Sequence, residues 1–149
     1  MPAEAGFERR VRESFARQAA MATLGARLGR VEPGCVDVLM AHSAHLTQQH
    51  GFLHAGIVAS ALDSACGYAA YTLMPVDAAV LTIEFKINLL APARGPQFRF
   101  EGRVAKAGRT ISVVDGRALQ LGADGAGETL VATMTATAMT VVGRDGFRM

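Results

Sequence analysis

Along the first part of the chain, Phe7, Val11 and Phe15 recur every four positions among glutamates and arginines. That spacing puts the three on one stripe and predicts an amphipathic helix over roughly residues 4–18. Two short apolar runs then flank Pro33-Gly34, a turn signal, so a hairpin is expected near 22–41. Residues 42–54 carry no period and read as an irregular loop holding all four histidines, His42, His45, His50 and His54. From Gly56 to Met74 the residues are apolar or small on nearly every side, and Pro75 closes the run. It is too long for an ordinary strand, so it predicts a helix buried all round, about 28 Å long at about 1.5 Å per residue.

After Pro75 the period changes to two. In "VLTIEFKINLLAP", Leu81, Ile83, Phe85, Ile87 and Leu89 are expected to face one way and Thr82, Glu84, Lys86 and Asn88 the other. Phe98, Phe100 and Val104 alternate with Arg99, Glu101 and Arg103 in the next segment, and "RTISVVDGRALQL" and "ETLVATMTATAMTVV" complete four long strands. The separators "APARGP", "AGR" and "GADGAG" are short, which favours antiparallel neighbours. One long helix and an antiparallel sheet of five to six strands make an α+β single domain over 1–149. A sheet this extended must curl round the helix to bury both.

Half of the 149 residues are hydrophobic and 19% are charged, a balance that supports a packed core. A net charge of +2 gives no global case for nucleic-acid binding. Cys35 and Cys66 form neither a CxxC pair nor a disulfide framework, and the N-terminus lacks the apolar core of a signal peptide, so a cytoplasmic chain is expected. The run from Gly56 is rich in Ala, Gly and Ser. A central Asp63 would cost roughly 2.5–3.5 kcal/mol in a bilayer, so no membrane span is expected.

Asp63 is the residue that asks for an explanation. No Lys or Arg occurs between Arg30 and Lys86, and Ala59, Ser60, Cys66 and Gly67, one helical turn away, cannot neutralise it. Its small neighbours would let a ligand or a second backbone approach. A carboxylate held in such a poorly solvated cleft has a raised pKa and suits base or nucleophile work. The plainer account is an aspartate facing solvent or capping another segment. At the helix start, the amides of Ala55, Gly56 and Ile57 lie at the positive end of the dipole, where a developing oxyanion is stabilised; alternatively Gly56 is an ordinary N-cap glycine.

The histidines, at HxxH and HxxxH spacing, invite a metal. Zinc catalysis wants three fixed ligands with an ordered surround, and no Asp or Glu is adjacent, so no metal is expected. Cys66 is expected to be buried without a base beside it, which sets aside a cysteine nucleophile. From Lys86 to Arg117 there are seven basic residues and two acids. A solvated strand face accounts for any one of them; together they could hold a phosphorylated ligand, with Arg109 in the "AGRT" turn as the best single candidate.

The order of hairpin, HxG loop, long helix and four antiparallel strands resembles the hotdog-fold acyl-CoA thioesterases of the 4-hydroxybenzoyl-CoA thioesterase superfamily, closest to the phenylacetate-degradation (PaaI-like) branch. The likeness covers roughly residues 35–142. The family pattern Asn-x-x-Gly-x-x-His-Gly-Gly, with an acid nine positions after the histidine, reads here as Gln48, Gly51, His54, Ala55, Gly56 and Asp63. Gln48 keeps the amide of the usual Asn on a longer arm, and Ala55 requires a negative φ where the family has glycine.

This resemblance implies hydrolysis of an acyl-CoA thioester to free acid and coenzyme A. Asp63 would be general base or nucleophile, the Gly56 amide would polarise the carbonyl, Gln48 would orient the water or the leaving sulfur, and His54 would shape the loop. Arg109, Asn88, Phe52, Gly51 and Ala55 are the implied substrate contacts. No cofactor is implied beyond the coenzyme A of the substrate. The implied assembly is a homodimer or homotetramer whose site lies between subunits, with Asp63 and Gly56 drawn from different chains. Two rivals stand beside it: a non-catalytic acyl-CoA-binding hotdog domain, and an enoyl-CoA hydratase, whose Asp and His arrangement is not found here.

Overall fold

The computed structural model describes residues 2–124 and 127–149, so the centre of the "GADGAG" separator lies outside the described residues. In chain order the elements are α1 (Phe7–Ala16), α2 (Ala19–Leu24), β1 (Arg27–Glu32), β2 (Cys35–Ala41), a short 3-10 turn (Ala44–Leu46), α3 (Ala55–Tyr71), β3 (Ala78–Leu89), β4 (Gln97–Ala107), β5 (Ile111–Leu121) and β6 (Glu128–Val142). The strands form one six-stranded sheet in the order β1-β2-β4-β5-β6-β3, antiparallel throughout. The sheet curves round α3, as its length and the single long helix require.

The helix lies on the sheet with almost no space between backbones. Gly102 on β4 and Gly116 on β5 are paired neighbours directly beneath it. A β-carbon on Gly102 would stand 2.3 Å from the Ala65 carbonyl oxygen, and one on Gly116 would stand 2.8 Å from Cys66 Sγ. Both positions therefore require the residue without a side chain. Around this contact, Phe98, Phe100, Val114, Leu62, Ala65 and Ala132 are fully buried. Small residues on α3 permit the close approach, and alternate strand residues fill the space beside it.

α3 starts one residue before Gly56 and ends three residues before Met74, the limits expected from the apolar run. The early end has a local cause. Thr72 Oγ1 donates to the Ala69 carbonyl at 2.7 Å and accepts from the Gly34 amide at 2.7 Å, and the next two amides bond three residues back instead of four. Pro75 then disfavours helical geometry at its predecessor.

The first helix is shorter than 4–18, and residues 22–24, expected in the hairpin, belong to α2. The sequence of α2, "AAMATL", consists mostly of strong helix formers, and Gly25 at φ 69° terminates it. α1 docks on the far end of α3. The Phe15 and Tyr68 rings are 5.7 Å apart, Ser14 Oγ lies 3.0 Å from Tyr68 OH, and Arg10 sits over the Tyr71 ring at 5.3 Å.

β3 departs from strict alternation. A bulge falls between Thr82 and Glu84, so Thr82 lies opposite Ala138 while Phe85 lies opposite Ala136. Ala136 and Ala138 are both buried on the helix side of the sheet. Thr82 therefore shares that side with Phe85, Ile87 and Leu89, not the face of Glu84, Lys86 and Asn88 predicted from period two. No helix is long and apolar enough to cross a membrane, among the described residues.

Candidate active site

The loop before α3 is built by its own backbone. Gln48 N donates to Phe52 O at 2.9 Å, Gly51 N to Gln48 O at 3.1 Å, and His54 N to Leu46 O at 3.0 Å. Gly51 holds φ 87°, a conformation that a side chain would strain. Gln48 Oε1 accepts from the His50 amide, which commits the oxygen of the side chain and leaves its Nε2 donors. Ala55 has a negative φ, as the substitution for glycine requires.

His54 caps the helix: its Nδ1 accepts from the Gly56 amide at 2.9 Å. The ring packs closely on Gly56, where a β-carbon would stand 3.1 Å from Nδ1 and oblige the ring to shift slightly. The amide expected to polarise a carbonyl is thus occupied by an imidazole. The other histidines are engaged separately, His42 Nε2 with Gly51 O at 2.9 Å and His45 Nδ1 with Ser43 Oγ at 2.6 Å, while the His50 ring tilts on Phe52. Among the described residues no three His, Cys, Asp or Glu side chains gather as a metal would need.

Asp63 stands on α3 two turns beyond Gly56, about 10 Å along the axis on the same face. Its Oδ1 accepts from Thr82 Oγ1 at 2.8 Å, the hydroxyl that the β3 bulge turns inward. Among the described residues it joins no ion pair. Burial pushes the Asp63 carboxyl above its ordinary value, and the Thr82 hydrogen bond opposes the rise. Cys66, one turn on, is inert by the same physics: burial pushes its thiol up to about 12.

Two cavities flank this line. One of about 420 Å³ opens beside Asp63 and is lined by Ser14, Gln18, Gly67, Tyr68, Val80 and Thr82, among others. The second, about 210 Å³, lies against the helix start and is walled by Gln48, Phe52, Leu53, Ala55, Val58, Leu89 and Val131. The arrangement places a weakly solvated carboxylate and an apolar recess along one helix whose first amides are held by His54, the Gly56 amide by the ring and the Ile57 amide by the carbonyl.

A crystal structure of a thioesterase family protein from Silicibacter pomeroyi matches 93% of this chain and 100% of its own, at 55% identity and a TM-score of 0.89. The Thioesterase superfamily pattern matches residues 50–123, which include the helix start and Asp63. The chain belongs to the thioesterase superfamily.

The E. coli PaaI protein from the phenylacetic acid degradation operon superposes with a TM-score of 0.82 over 95% of this chain and 98% of its own; at 18% identity it shares the hotdog fold. A Saccharolobus solfataricus protein named only as a candidate esterase is 38% identical over 92 residues, which is 62% of this chain and 61% of that relative.

Within this superfamily member, the structure gathers Gln48, Gly51, Phe52, His54, Ala55 and Gly56 at one end of α3. Other expected contacts lie elsewhere in the protomer. Asn88 bonds Thr133 Oγ1 on the outer face of the sheet, opposite to the side of Leu89. Arg109 occupies the β4–β5 turn, lining a small cavity with Ala70, Met74 and Pro75 at the other end of α3. Two of the seven basic residues between Lys86 and Arg117 are paired within the sheet: Arg99 bonds Glu101 and Glu128, and Arg117 approaches Glu101 at 3.6 Å. Sequence reasoning missed two residues. Thr82 was hidden by the bulge. Arg94 stacks on the Phe52 ring at 4.7 Å, which puts a cation at the mouth of the loop.

Proposed function

We propose that the protein hydrolyses an acyl-CoA thioester to the free acid and coenzyme A, within the PaaI-like branch of its superfamily. The observation that carries the reading is the Asp63 carboxylate, held in a cavity with a neutral hydroxyl as its partner. In the proposed step, Asp63 takes a proton from water as the water oxygen bonds to the thioester carbon. The negative charge that develops on the carbonyl oxygen is held at the helix start. Collapse then breaks the carbon–sulfur bond and releases the coenzyme A thiolate, a good leaving group, which is protonated from solvent. For Gly56 to donate to the carbonyl, the His54 ring turns aside from its amide. A covalent anhydride through Asp63 is the alternative course.

The two parts belong to different chains in this proposal. Gly56 and Asp63 of one chain stand about 10 Å apart along the helix, a span that carbonyl and water would fill only if nearly in line with it, so a carboxylate from a second chain is the better fit. β3 supports assembly, being the sheet edge with Ile83, Phe85 and Leu89 at 53%, 42% and 55% exposure. Such an apolar edge strand is a template for pairing with a second copy. The free thiols of Cys35 and Cys66 suit a reducing, cytoplasmic setting, and the reaction needs no cofactor beyond the substrate's coenzyme A.

Incubation with a panel of acyl-CoAs and a thiol reagent is expected to report free coenzyme A from at least one of them. Binding of the panel with no thiol released would identify a carrier or sensor instead. A pH profile tests Thr82. Its hydrogen bond favours the charged carboxylate, so Thr82→Val raises the Asp63 pKa further, and the acid limb of kcat/KM is expected to move to higher pH. An acid limb that stays in place would remove Thr82 from the site.

A further inference from the structure

The cavity beside Asp63 reaches the corner between α1 and α2, whose residues precede the stretch 50–123 that matches the superfamily. Its two walls differ in chemistry. Thr82 ties Asp63 to the β3 side. Ser64 and Tyr68 are instead tied to the α1–α2 corner, Gln18 Nε2 donating to Ser64 Oγ at 3.2 Å and Ser14 Oγ lying 3.0 Å from Tyr68 OH.

What that corner has left to offer is hydrogen-bond donors. In the Ser14–Tyr68 pair one hydroxyl donates, and the other keeps its own proton for a third group. The Gln18 amide likewise keeps a second N–H. Arg17 and Arg148 line the same cavity, and among the described residues neither is ion-paired with an Asp or Glu. Arg17 donates through Nη2 to an oxygen of Met149, which lines the same cavity, so part of its guanidinium is already engaged there. Glu13, the acid nearest in sequence to Arg17, is committed to Arg9 at 2.8 Å.

We infer that this cavity takes the distal end of the acyl group and selects acyl groups that end in a carboxylate, the coenzyme A thioesters of dicarboxylic acids. The inference rests on the hydrolytic reading above and adds the substrate class to it. A purely hydrocarbon end would offer no acceptor to the one uncommitted hydroxyl of the Ser14–Tyr68 pair or to the second Gln18 N–H, a penalty that a terminal carboxylate removes. The guanidiniums of Arg17 and Arg148 supply charge-assisted bonds that a hydroxyl end receives only weakly. Acyl choice is then set largely by residues outside the matched stretch, Ser14, Arg17 and Gln18 before it and Arg148 after it, while the matched core supplies the reaction.

The test compares kcat/KM for glutaryl-CoA and adipyl-CoA with hexanoyl-CoA and ω-hydroxyhexanoyl-CoA. The carboxylate-ended thioesters are expected to be favoured by about tenfold or more, the worth of one hydrogen bond to a charged group. In Arg17→Met and in Arg148→Met, both exposed positions, the adipyl-to-hexanoyl ratio is expected to fall toward one, mainly through KM. A wild-type enzyme that prefers the hydrocarbon or hydroxyl end overturns the inference, as does a preference that survives both substitutions. Failure of the hydrolytic reading is recognisably different: no thioester of any class releases thiol, and the inference falls with it.

Discussion

Asp63→Asn is expected to lower thioester hydrolysis by about 10²–10⁴-fold while acyl-CoA affinity stays within a few-fold. The substitution is close to isosteric. The Asn oxygen still accepts from Thr82, so the β3 contact survives, but the amide cannot take a proton from water or form an anhydride. Stability supplies the control. Burial holds the folded-state pKa of Asp63 above its unfolded value, so the ionised carboxylate costs stability at pH above the folded pKa. That cost vanishes as pH falls below the unfolded value, where both states are protonated. The variant should therefore melt higher than wild type near neutral pH, with the gap closing in acid. A variant that melts higher yet hydrolyses as fast as wild type would remove Asp63 from the chemistry, and a protein that only binds acyl-CoA would have no rate to lose.

The parts legible in the sequence are those fixed by local pattern. A long apolar run ending at Pro75 marked a helix, and an acid within it, far from any Lys or Arg in sequence, announced an unusual environment. The expectation of burial all round fails along the stripe of Gly56, Ser60, Asp63 and Gly67, which this protomer leaves open or half-buried. The parts not legible depend on register or docking. One extra residue in β3 turned Thr82 from the solvent face to the carboxylate, and nothing in "VLTIEFKINL" marks where the bulge falls. Ser14 and Gln18 fall seven residues after Phe7 and Val11, on the stripe that the sequence marks as the buried face, but only the docking of that face on Tyr68 and Ser64 shows that they border a cavity. The closure of Gly56 by His54 was hidden for a different reason. The HxG spacing permits a capping ring as readily as an open amide, and the choice belongs to the side-chain rotamer. Arg109, singled out by its turn, is separated from the helix start by the full length of α3, because a β4–β5 hairpin returns to the opposite end of the sheet.

Mixing two inactive variants is expected to restore activity. Gly56 and Asp63 share one face of α3 but lie about 10 Å apart along it. A carbonyl is about 1.2 Å long, and an attacking water approaches it to about 3–3.5 Å. Within one chain, the Gly56 hydrogen bond, the carbonyl, the attacking water and its hydrogen bond to Asp63 would have to run almost straight along the helix to span that distance. Water attacks a carbonyl at an angle, so a carboxylate from a second chain fits the geometry better. A two-fold partner placed across the β3 edge brings the second carboxylate to the first helix start. Asp63→Asn homodimers lack the base at both sites. Gly56→Leu homodimers lack the carbonyl position at both sites, because the new side chain fills the space where the His54 ring now packs. After subunit exchange, half of the dimers are mixed, and each mixed dimer has one doubly damaged site and one intact site. About a quarter of wild-type activity should return. If native mass spectrometry shows the mixed dimers and the solution stays as inactive as its components, each site is confined to one chain and the shared arrangement is wrong.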